Sequence, residues 1–122
     1  MTRPIPIVAL AAGRCGVGAV VLLRPGLLVQ VLTGDSGLAT RTPWLARMFG
    51  VRDLAVGLGT LLALRGGEPL PTWVRMGALC DAGDAAALLL GLRSGRLQSV
   101  PAGLVAASAL GAAAVGVLSA AR

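Results

Sequence analysis

Arg14, Arg52, Asp53, Asp81 and Asp84 are the residues of this chain whose types and surroundings could do chemistry. Each sits inside a long apolar run: Arg14 in 5–23, Arg52 and Asp53 in 44–64, Asp81 and Asp84 in 73–92. General acid–base chemistry needs one protonated and one ionised group near working pH, and paired carboxylates in a low dielectric can supply both. Asp81 and Asp84 are three residues apart, hence neighbours on one helical face, and a proton shared between them is one expected state. Arginine stays charged in protein interiors and offers a planar fork of donors that matches a carboxylate. Two Asp–Arg pairs would leave one of the three aspartates unmatched, free to exchange a proton or to hydrogen-bond a ligand.

The stretches that carry these residues are long enough to cross a bilayer, whose hydrocarbon core needs roughly 20 apolar residues per helical crossing. Depth counted from the ends of each run puts all five charges near the midplane. One charge there costs about 2.5–3.5 kcal/mol, so five isolated ones would cost on the order of 12–17 kcal/mol. That equals the whole stability of a typical domain. The charges must therefore pair, line a hydrated cavity or be partly neutral. The bland alternative is that they act only as ion pairs fixing the register between helices.

Composition agrees. The chain has 122 residues, 56% hydrophobic and 13% charged, far from the balance of a water-soluble domain. Four crossings with short connections account for this length, giving one all-α integral membrane domain over 1–122. The net charge is +6 and every basic residue is Arg. The arginines are spread singly, without the aromatic-lined basic patch of a nucleic-acid binder, so nucleic acid is not an expected partner. Contact with anionic lipid explains the charge more simply. Histidine is absent, and Cys15 and Cys80 lie in apolar runs. That leaves no His-based triad, no expected metal site and no expected cofactor, and the two cysteines read as free thiols.

Taken in order, the first crossing is 5–23; the apolar run continues well past Ala11, which favours a retained helix over a cleaved signal peptide. In 25–43, Leu27, Leu28, Val31 and Leu32 fall at helical spacing opposite Gln30, which predicts a short interfacial helix, followed by a turn and loop from Thr33 to Gly37. In the second crossing, 44–64, Trp44 suits the interface and Arg47 can reach out to it. Ala46, Gly50, Asp53 and Gly57 share one face, with Val51, Leu54, Leu58, Leu61 and Leu62 opposite; Arg52, Gly59 and Ala63 occupy a third sector. Thr72 is placed to cap the third crossing, 73–92, where Arg75 is a second interfacial anchor. There Gly83, Ala87 and Gly91 run beside the two aspartates as an expected packing face. The fourth crossing, 101–121, carries two small-residue stripes, Gly103–Ala107–Gly111 and Ser108–Ala112–Gly116–Ala120. Four crossings put both termini on one side. The arginines of the connections are too evenly divided to decide which side.

Residues 47–58, Arg-Met-Phe-Gly-Val-Arg-Asp-Leu-Ala-Val-Gly-Leu, resemble the fGvRDlalGl signature of a family of small four-helix bacterial membrane proteins of unknown function, common in actinobacteria. Gly18, Leu23-Arg24-Pro25, Gly34 and Asp81 are similar to that family's pattern as well. The resemblance implies a four-helix fold in the bacterial inner membrane and marks Arg52 and Asp53; it implies no activity. Three functions fit the residues. The foremost is a bundle that binds, or converts, a lipophilic small molecule at the midplane Arg/Asp site. The others are an accessory or assembly subunit of a membrane complex and a proton-coupled small transporter. The expected partners are the bilayer, that small molecule, and a second copy or a membrane subunit.

Overall fold

The computed structural model describes residues 5–66 and 69–121. Arg3, Gly67, Glu68 and Arg122, which enter the charge count and one connection, lie outside the described residues. Six helices follow one another: α1 (Ile5–Leu23), α2 (Pro25–Thr33), α3 (Ser36–Arg41), α4 (Pro43–Leu64), α5 (Leu70–Arg93) and α6 (Ser99–Ala120). The four long ones have 19, 22, 24 and 22 residues, or roughly 28–36 Å at 1.5 Å per residue. α1 and α6 are long and apolar enough to cross a membrane, and only 22% and 17% of their apolar windows are buried inside the protein.

Helix ends follow local chemistry. Pro25 and Pro43 each sit at the start of a helix, where the missing N–H removes no intrahelical bond. α2 stops at Gly34, whose φ of 71° is the left-handed conformation glycine adopts without strain; its N–H donates to the Gln30 carbonyl at 2.8 Å. The stretch after this turn was expected as loop. It forms α3 instead, because Asp35 Oδ1 accepts the Leu38 N–H at 2.9 Å and Ala39 is buried. α2 itself turns Leu28 and Leu32 inward but leaves Leu27 and Val31 exposed, so its apolar face is split. Gln98, at the N-cap of α6, donates its backbone N–H to the Leu32 carbonyl at 2.8 Å. α5 begins at Leu70, with Pro69 at the N-cap position and Pro71 in the first turn. Thr72 is thus inside the helix and does not cap it.

Two pairs of helices pack closely, α1 with α4 and α5 with α6, and α4 and α5 meet between them. The α1–α4 seam depends on glycine. A Cβ on Gly18 would stand 2.7 Å from the Gly50 carbonyl oxygen, and one on Gly57 would stand 2.8 Å from the Ala11 carbonyl oxygen. The face of α4 read from the sequence is the buried one: Ala46, Gly50, Asp53 and Gly57 are all buried. Opposite it Val51, Leu58 and Leu62 are exposed, while Leu54 is half-buried against Gly18.

On α5 and α6 the packing faces differ from expectation. Gly83 and Ala87 are exposed, and α5 buries Val74, Gly77, Ala78, Asp81 and Ala85. On α6 the stripe through Gly103, Ala107 and Gly111 has no neighbour at either glycine. The inward residues there are Ala102, Ala106 and Gly116, with Ala112 and Ala120 half-buried and Ser108 exposed. Small residues permit close approach on any face; the buried face of α5 is the one that packs on α6, where Val74 and Ala78 meet Gly116.

Gly18→Val should push the α1–α4 backbones apart and cost about 1–3 kcal/mol as an overpacked contact. Gly13→Ala, in open surroundings on the same helix, should stabilise by about 0.5–1 kcal/mol through helix propensity. Thermal unfolding in detergent of the two variants measures the contrast.

Candidate functional site

The five charged residues come together as a single chain of alternating sign, Asp81–Arg14–Asp53–Arg52–Asp84. Helical spacing explains the arrangement. Along α1, Ala11, Arg14, Gly18 and Val21 follow a three–four–three spacing, and along α4 so do Gly50, Asp53, Gly57 and Thr60. Arg14 and Asp53 therefore fall in one seam, at a level where a Cβ on Gly57 would lie 3.1 Å from Arg14 Cβ. Arg52, one residue and about 100° away from Asp53, points to α5 instead. The three-residue offset on α5 sends Asp81 to Arg14 and Asp84 to Arg52.

Arg14 makes three contacts: Nη1 donates to Asp53 Oδ1 at 3.2 Å, and Nη2 donates to the Gly77 carbonyl at 2.8 Å and to Asp81 Oδ2. The guanidinium lies across Gly77, where a Cβ would come within 3.1 Å of Nη2. Arg52 grips Asp84 end-on with both terminal nitrogens, Nη1 to Oδ1 at 2.9 Å and Nη2 to Oδ2 at 2.5 Å. Its Nη2 also stands 3.6 Å from Asp53 Oδ1. The Phe49 ring packs 4.7 Å from the Arg52 guanidinium carbon, a cation–π contact. The end-on grip leaves Arg52 Nε buried without a partner.

Exposure grades along the chain. The side chains of Asp81, Arg14 and Asp53 are 10%, 11% and 8% exposed, whereas Arg52 and Asp84 are 35% and 24% exposed. Next to the inner end is a cavity of about 20 Å³ bounded by Leu10, Arg14, Thr60, Trp73, Asp81 and Gly116. That is the room of one water molecule. Thr60 is buried there with its hydroxyl donating to the Val56 carbonyl at 2.8 Å. Beside the outer end is a shallow, wide-open lateral groove along one face of α4, formed by Trp44, Arg47, Met48, Val51 and Arg52.

This geometry changes the acid–base expectation. Asp81 and Asp84 are paired not with each other but each with its own arginine, and the acid in the middle is Asp53, held between two. The inner end has no space for an organic molecule, so contact with one is confined to Arg52 and Asp84. Two participants went unread in the sequence. Phe49 stands three residues before Arg52 and Gly77 four before Asp81, the spacings at which helical neighbours meet, and those offsets were the signal. Arg47 and Arg75 are exposed, and Cys15 and Cys80 are both free thiols. Among the described residues no group of three His, Cys, Asp or Glu side chains could hold a metal ion. No protein-family model, curated protein or solved structure matches the chain.

Arg14→Met strips Asp53 and Asp81 of their shared partner and should cost about 3–5 kcal/mol, the loss seen when one member of a buried pair is removed. Asp84→Asn, which leaves Arg52 beside Asp53, should cost less, about 1–3 kcal/mol for one lost charged partner. Adding Asp81→Asn to Arg14→Met should recover part of the loss. Denaturant unfolding in detergent, run as a double-mutant cycle, reads all three.

Proposed function

We propose that the chain is an integral membrane protein of the bacterial inner membrane whose long helices α1, α4, α5 and α6 form a four-helix bundle of four crossings, with α2 lying in the interface. Large apolar side chains turn outward on every long helix, among them Leu23, Leu62, Leu79, Leu90, Leu104 and Leu118 at 60–82% exposure. Monomers in water rarely carry so continuous an apolar surface. α4 and α5 match the bilayer in length, and their central charges are spent on neighbouring helices. An even number of crossings puts both termini on one side. The resemblance over residues 47–58 supports membership of the small four-helix family that it marks.

The function we infer is binding of a lipophilic small molecule that enters sideways from the bilayer and meets the outer end of the ion chain. The observation that carries this reading is the open lateral groove on α4 that reaches Arg52, itself held by Asp84, while the inner end of the ion chain has room only for water. Native mass spectrometry of the detergent-purified protein should find a reproducible small-molecule adduct. Asp84→Asn should lose it and folded Asp81→Asn should keep it. No adduct, or one indifferent to Asp84→Asn, would overturn the reading.

One observation favours a second role, as an accessory subunit or homodimer. Gly103 and Gly111 on α6 and Gly13 and Gly16 on α1 meet nothing within 4 Å, and such surfaces suit close helix–helix approach in a membrane. If that role holds, Gly111→Leu should release a co-purifying partner or shift the protein to a smaller species on size-exclusion chromatography; an unchanged elution profile rejects it.

A further inference from the structure

The groove on α4 is more cationic than a neutral ligand requires. Trp44, Met48 and Val51 form its apolar strip, each more than half exposed, and Arg47 and Arg52 flank it on opposite sides. The two arginines differ. Both terminal nitrogens of Arg52 are taken by Asp84, whereas Arg47 is exposed and makes no ion pair among the described residues. At 1.5 Å per residue, Arg47 lies about 4.5 Å below Trp44 along α4, and Arg52 a further 7.5 Å or so deeper. Polarity therefore runs from a free cation near the helix end, through an apolar strip, to a neutralised pair at the bottom.

The surroundings of Arg47 have the same sign. Arg24, Arg41, Arg93 and Arg96 are exposed at this end of the long helices. The acid there among the described residues is Asp35, which caps α3. Among the described residues no acid pairs with Arg47.

We propose that the groove binds an anionic phospholipid, with the phosphate on Arg47, the Trp44 ring at the level just above it, and an acyl chain running over Met48 and Val51 towards the Arg52–Asp84 pair. The proposal names the ligand class of the groove and rests on the reading that the groove is a binding site. The choice follows from charge complementarity: a phosphodiester with a neutral headgroup brings the one charge that Arg47 lacks. A zwitterionic headgroup also brings a quaternary ammonium into a field of five exposed arginines.

The test is a native mass-spectrometry titration of the delipidated protein in detergent with phosphatidylglycerol and phosphatidylcholine of equal chain length. The wild type should bind phosphatidylglycerol about fivefold more tightly, the worth of one arginine at an anionic surface. Arg47→Gln should abolish that preference. Arg93→Gln, which removes the same charge at the same end away from the groove, should keep it. Equal binding of the two lipids by the wild type overturns the proposal. So does an Arg93→Gln variant that loses as much preference as Arg47→Gln, because the effect would then be diffuse surface charge. An adduct lost in Asp84→Asn yet indifferent to Arg47→Gln removes the phospholipid and leaves the small-molecule reading standing; absence of any adduct removes both.

Discussion

An ion placed where water does not reach must find its counter-ion in the protein, and in this chain that constraint orders everything else. Five charges from three helices meet it by alternation: every carboxylate has a guanidinium beside it, and no two like charges are neighbours in the chain. Alternation turns a set of penalties into mutual support, since each member is desolvated once and held by what flanks it. The chain starts and finishes on α5, passing through α1 and α4. A slip of α5 by one helical turn, about 5.4 Å, would break both of its pairs together. The register of all three helices is thereby set by electrostatics.

Packing makes the electrostatics affordable in space. Arg14 reaches Asp81 only because Gly77 leaves its side open, and α1 approaches α4 only because Gly18, Gly50 and Gly57 lack side chains. The same residue type elsewhere has no such duty: Gly83, Gly103 and Gly111 face outward with nothing against them. Close approach in a low-dielectric setting is a joint product of a missing Cβ and a charge that draws the partner in.

That distinction also separates what could be read in the sequence from what could not. The long helices and the buried face of α4 were legible, because period and length report directly on backbone geometry. So was the gathering of Arg14, Arg52, Asp53, Asp81 and Asp84, because five unpaired charges would be prohibitive. The pairing was not legible: Asp81 and Asp84 looked like partners by spacing, yet the side chains of two other helices part them. The face through Gly83 and Ala87 was misread for a related reason, since a pattern within one helix cannot say where its neighbours stand. α3 escaped notice because a six-residue helix leaves no periodic trace and depends on one cap, Asp35. The grading of exposure from Asp81 to Asp84 also depends on how far the helices part around α4, which no local pattern encodes.

The bond from the Gln98 N–H to the Leu32 carbonyl links α2, which follows directly from α1, to the first turn of α6. It ties the α1–α4 pair to the α5–α6 pair at the end of the molecule where the groove on α4 begins. Separating the pairs at that end must first undo this link, at a net cost of about 1 kcal/mol for one backbone hydrogen bond. At the other end the path between α4 and α5 runs through the chain itself. The two pairs are therefore joined by different means at their two ends, by a hydrogen-bonded clasp on the arginine-rich side and by covalent continuity at the other.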